Sequence, residues 1–160
     1  MEEVLREFAI NLFQKAYQLQ RQGDLDNAVI LYKQSIKTFP TAEAHTFLGW
    51  TYHVQGNLDQ AIEECLAAIE LDPSFGHPYN DIGAYLIEKG KLWESIPWLE
   101  KATKAPRFEN YHYPWYNLGR VYFHLERLNV AKECFEKAIT LKPDFSLAKD
   151  GLRRLRSILQ

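Results

Sequence analysis

Four small residues, Ala16, Gly49, Gly83 and Gly119, recur in one setting along the chain. Each is followed three residues later by an apolar residue, Leu19, Tyr52, Leu86 or Tyr122, and twelve residues later by a second small one, Ala28, Ala61, Ser95 or Ala131. Successive anchors lie 33, 34 and 36 residues apart. A period of that size means stacked copies of one supersecondary unit rather than a single compact core. Whatever such a chain does, it does on a surface that the stack creates.

Each unit reads as helix, tight turn, helix. Leu12, Ala16 and Leu19 have helical spacing, as do Leu48, Gly49 and Tyr52. The first helix ends at Gly23, Gly56 or Gly90, because glycine accepts the left-handed conformation that closes a helix. The fourth copy has Glu126 in that slot, so its turn is the least well specified. The second helices carry Ala28, Tyr32 and Ser35, then Ala61, Cys65 and Ala68, then Ser95, Leu99 and Ala102, then Ala131, Phe135 and Ala138. Small residues on both helices let the axes approach closely, and the larger ones fill the remaining space. Pro40, Pro73 and Pro143 end three of the copies, and in the third a proline comes early, as Pro106. Pro97 inside a second helix predicts a local kink. The linker 105–114 exceeds the period by two residues.

These residues resemble the tetratricopeptide repeat family, whose pattern is Trp-x2-Leu-Gly-x2-Tyr, then Ala, an aromatic, Ala and Pro. Trp115, Leu118, Gly119, Tyr122, Ala131, Phe135, Ala138 and Pro143 meet every slot. The second and third copies fit with His45 and Tyr79 in the tryptophan slot, and the first is the loosest. The resemblance implies an all-α fold, a right-handed α-solenoid with repeats at about 9–41, 42–75, 76–111 and 112–145. A capping helix is expected at about 144–158, with Leu147, Leu152, Leu155 and Leu159 covering the last repeat and Lys149, Arg153 and Arg156 facing water. Residues Glu2 to Phe8 are expected to extend the first helix backward and cap that end.

Composition removes several function classes. The formal net charge is −2, which argues against a nucleic-acid partner. No apolar run approaches the ~20 residues of a membrane span, and the acidic start MEEVLREF lacks the order of a secretory signal. Cys65 and Cys134 lie in second helices without a CxxC spacing, which reads as two reduced structural thiols and a cytoplasmic location. No nucleophile–base pair, phosphate loop or metal-ligand spacing stands out, so the chain is read as no enzyme, with no metal and no cofactor. His53 and His124 share a repeat position and read as surface residues, and Glu63-Glu64 as a solvated pair.

The resemblance also implies that the first helices line a concave wall. Counting from the anchors assigns that wall Phe13, Tyr17, Phe47, Trp50, His53, Asn80, Asp81, Tyr113, Tyr116, Asn117, Arg120 and Phe123. The core slots are held by other residues, so the rings are expected to face solvent, where contiguous aromatics mark a binding surface. Asn80, Asp81, Asn117 and Arg120 offer hydrogen bonds to a peptide backbone. The expected function is a non-enzymatic scaffold holding a partner peptide or helix in this groove. The family's carboxylate clamp for chaperone tails asks for Lys, Asn and Arg where this chain has Phe13, Tyr17, Phe47, His77 and Asp81, so an EEVD-type tail is not expected. Two rival readings stand beside this one. In the first, the acidic front and basic back stack head to tail into a homo-oligomeric scaffold; in the second, the chain is an accessory domain of a larger enzyme or complex. A groove filled by the chain's own C-terminal helix is the alternative to ligand binding.

Overall fold

The computed structural model describes residues 1–160 as nine helices. They are α1 (Glu2–Arg21), α2 (Leu25–Thr38), α3 (Ala42–Val54), α4 (Leu58–Leu71), α5 (His77–Glu88), α6 (Leu92–Lys104), α7 (His112–His124), α8 (Leu128–Leu141) and α9 (Ser146–Leu159). The fold is an all-α solenoid. Within each helix–turn–helix the anchors meet: Ala16, Ala28, Ala61, Ser95 and Ala131 are fully buried, and a Cβ added to Gly119 would lie 2.6 Å from the Phe135 ring. That close approach is what the recurring small residues permit.

The four tight turns are built alike. Gly23, Gly56 and Gly90 have φ of 85°, 88° and 78°, and Glu126 holds the same conformation at φ 60°. The next backbone N–H reaches back across the helix end in every copy: Asp24 to Leu19 O, Asn57 to Tyr52 O, Lys91 to Leu86 O and Arg127 to Tyr122 O, at 2.8–2.9 Å. This pairing satisfies carbonyls that a helix end otherwise leaves open.

The stack curves toward its first helices. α1 touches α3, α3 touches α5, α5 touches α7 and α7 touches α9, whereas α2 and α4, α4 and α6, and α6 and α8 do not meet. The odd-numbered helices therefore line the concave face. α6 runs as one helix through Pro97, from Leu92 to Lys104. The long linker folds back on the α4–α5 turn through a single parallel bridge between Phe75 and Arg107. Arg107 N donates to Ser74 O at 2.9 Å, and Gly76 N to Arg107 O at 3.0 Å.

The ends differ from expectation. α1 does continue back to Glu2, yet Met1, Val4, Leu5 and Phe8 are exposed, because α2 ends at Thr38 and the Phe39 ring after it reaches only Arg6, at 4.9 Å. On α9, Ala148, Leu152 and Leu155 are buried, while Leu147 and Leu159 are not. α9 packs on α7 and α8 alone, so the groove is not filled by it. No helix is long and apolar enough to cross a membrane.

Candidate functional site

The wall residues divide into seam and surface. Phe47 of α3 wedges against α1, its ring edge-on to Phe13 at 5.2 Å and to Tyr17 at 5.5 Å. Phe13 and Phe47 also pack on the buried Tyr32 of α2. These two rings have a core task after all, since slots at the contact of successive first helices are closed by the neighbouring repeat. Asn80 and Asn117 are buried for the same reason, and Asn117 Nδ2 donates to Asn80 Oδ1 at 3.0 Å across the α5–α7 seam. Arg120 Nη1 donates to Asn117 Oδ1 at 3.0 Å, which extends the relay to the groove surface. His53 bridges α3 and α5: Nε2 lies 2.8 Å from Glu88 Oε1 and the ring stacks on Tyr85 at 4.8 Å. It is an inter-repeat contact rather than a free surface residue. His45 likewise pairs with Glu64 at 2.6 Å, so Glu64 is not merely solvated.

Tyr17 and Trp50 do stand out, 40% and 41% exposed. They rim a cavity of about 430 Å³ with Gln20, Thr46, Phe47, Phe75, His77 and Asp81. Burial pushes the Asp81 carboxyl up to about 7 against a hydrogen bond from Asn80 that favours its charge. Burial and then the nearby Arg107 guanidinium hold His77 below its usual range. Gln20 Oε1 accepts from Tyr32 Oη at 2.6 Å and from Thr51 Oγ1 at 3.2 Å, which fixes the floor. Arg107 closes one edge, its guanidinium 4.0 Å over the Phe75 ring and bonded to Asp72 at 2.7 Å and Glu43 at 3.0 Å.

Further along the groove a second cavity of about 230 Å³ is lined by Tyr116, Arg120, Phe123, His124, Phe135, Leu147, Asp150, Gly151 and Arg154. Arg120 lies over Tyr116 at 5.7 Å and Arg154 over Phe123 at 5.6 Å. Neither arginine is in an ion pair, whereas Asp150 is taken by Arg153 at 2.9 Å. Tyr113 remains 41% exposed, although its ring and that of Tyr116 both rest on Phe145, at 5.5 and 5.4 Å. Of the expected wall residues, Tyr17, Phe47, Trp50 and Asp81 line the first cavity and Tyr116, Arg120 and Phe123 the second, while Asn80 and Asn117 form a polar seam; Phe13 and Phe47 also line a third cavity of about 700 Å³ between α1 and α3.

Sequence reasoning missed Phe75, Arg107, Leu147 and Arg154. The last two had a signal: carrying the count into α9 with Arg153 in the anchor slot puts Leu147 and Arg154 in wall positions. Phe75 and Arg107 had none, because the fold-back of the linker has no periodic signature. Cys65 and Cys134 are free and buried, and burial raises both thiols, Cys134 to about 11.

Comparison with known proteins agrees with this architecture. Over 141 residues the chain is 30% identical to the probable UDP-N-acetylglucosamine–peptide N-acetylglucosaminyltransferase SPINDLY of Hordeum vulgare, covering 82% of this chain and 15% of that protein. It is 27% identical over 124 residues to the type IV pilus assembly protein PilF of Pseudomonas aeruginosa, covering 77% of this chain and 49% of that one. The chain therefore spans at most about half the length of these relatives. The crystal structure of the MamA protein superposes with a TM-score of 0.77 at 26% identity, covering 94% of this chain and 82% of the other. Models described as "Tetratricopeptide repeat" match residues 13–74 and 113–145, between them more than half of the chain. With the shared turn geometry, the buried small anchors and the concave wall of first helices, these matches establish that the chain belongs to the tetratricopeptide repeat family.

Proposed function

We propose that the chain is a non-enzymatic interaction module that holds a segment of a partner protein along its concave face. Proteins of this family generally mediate protein–protein interactions. The observation that carries the reading is the exposure of Trp50 and Tyr17 over a cavity lined by Phe47 and Phe75 together with Gln20, Thr46, His77 and Asp81, beside ring neighbours that are packed away. Large rings with one face free and a desolvated pocket beneath them are the usual anchors of an interface. The occupant has an aromatic or large aliphatic side chain for that pocket and an acidic side chain further along for the unpaired Arg120 and Arg154. Asp81 at the first cavity and the lack of a lysine among the wall slots argue against an EEVD-type chaperone tail and against nucleic acid, whose phosphates ask for a basic groove. A cytoplasmic location fits two buried free thiols.

The experiment is selection of a displayed peptide library on the chain, followed by calorimetry on the peptides recovered. Enriched peptides are expected to pair an apolar anchor with an acidic residue and to bind near ~1 μM, about 8 kcal/mol. Trp50→Ala should weaken them by at least about tenfold while the melting temperature stays within roughly 2 °C. Binding that survives Trp50→Ala/Tyr17→Ala, or a library that yields nothing, refutes the groove as the site. A second reading is favoured by the match to a segment of the barley protein: the module serves as the accessory, partner-holding part of a larger enzyme or complex.

A further inference from the structure

The outer helix α1 carries an apolar stripe that nothing in the chain covers, and the outer helix α9 carries an open hollow of opposite charge. Met1, just before α1, and Val4, Leu5 and Phe8 on it form one stripe at helical spacing, with Val4 65% and Phe8 56% exposed. Glu2, Glu3 and Glu7 flank it, and the one base, Arg6, is tied to Glu2 at 3.2 Å. On α9, Lys149, Arg153 and Arg156 rise on one side of an open hollow of about 520 Å³ whose floor is Ile139 and Leu152. The single acid of α9, Asp150, is tied to Arg153.

We propose that this chain self-associates head to tail, the α1 stripe of one copy entering the α8–α9 hollow of the next. Charge selects this pairing over the two symmetric ones. An α1–α1 contact brings two sets of three glutamates together, and an α9–α9 contact brings together two sets of bases. Only α1 on α9 sets Glu3 and Glu7 against Arg153 and Arg156 while Val4, Leu5 and Phe8 leave water. The same contact repeats on every added copy, so the product is a ring or an open filament rather than a closed dimer. The groove anchors are other residues of these helices, Tyr17 on α1 and Leu147 and Arg154 on α9, so this assembly is tested apart from the peptide-binding reading.

Sedimentation velocity on the 160-residue chain, across concentration and salt, tests it. Mass is expected to rise with concentration, and association to weaken roughly tenfold between 0.1 and 1 M salt as the screening length shortens from about 10 to about 3 Å. Glu3→Lys/Glu7→Lys and Arg153→Glu/Arg156→Glu should each be monomeric with unchanged circular dichroism. An equimolar mixture of the two should assemble again, because each front then meets a back of opposite sign. A wild-type monomer up to about 1 mM, association that neither reversal touches, or a mixture that stays monomeric overturns the proposal.

Discussion

Asp81 carries a cost that an ordinary surface carboxylate does not. Its α5 position turns it into the Tyr17–Trp50 cavity, where burial raises its carboxyl to about 7. Its charge in turn raises Cys65 and Tyr85, though burial is the larger cause for both. The unfolded chain releases this proton near pH 3.9, whereas the folded chain keeps it until about 7. Between those values the native state binds more protons, so stability falls as pH rises. His77, held low by burial, works in the opposite sense as pH rises toward its unfolded value near 6.5, and for that reason the variant difference is the informative quantity. Asp81→Asn is expected to melt like the parent below pH 4 and at a higher temperature at pH 8. Melting curves across that range check it, and parallel curves refute it. The wall position of Asp81 was legible by counting from Gly83. Its burial was not, because that depends on Phe47 and Phe75 from other units, whose approach no local pattern encodes.

Elements were the most legible level, since their causes are local. Anchor spacing, a glycine past three of the four first helices and a proline past most second helices fix nearly all helix positions. Even the odd turn was legible: Glu126 adopts the left-handed conformation its slot demands, at φ 60°. A side chain held there costs about 1 kcal/mol, so Glu126→Gly is expected to stabilise the fourth unit by up to about 1 kcal/mol and raise the melting temperature by roughly 2–4 °C. Gly90→Ala should move it by a similar amount in the other direction. A loss of stability in the first variant shows that Glu126 earns its place through a contact instead. Non-local elements were illegible by the same logic. Overlong spacing marked the linker 105–114 as exceptional, but not that Arg107 would pair with Phe75.

At the scale of the molecule, each unit leans only on its neighbours, so stability is the sum of units and the seams between them. Leu155 of α9 is fully buried in the last of those seams, with Phe135 and Leu152. Leu155→Ala is expected to cost about 2–5 kcal/mol. Hydrogen exchange should show the loss concentrated in α7, α8 and α9, with α3 and α4 nearly unchanged; a uniform rise along the chain marks a single cooperative block instead. Arg107 adds a polar tie to the seam between the second and third units. From the strap ahead of α7 it reaches Asp72, before α5, and Glu43, at the start of α3, sequence separations of 35 and 64 residues. The pitch of these two neighbouring coils is thereby clamped at one rim. Like a spring pinned at its middle, this superhelix has its compliance left at the outermost turns, and any guest that needs the trough to widen must find that give near either extremity.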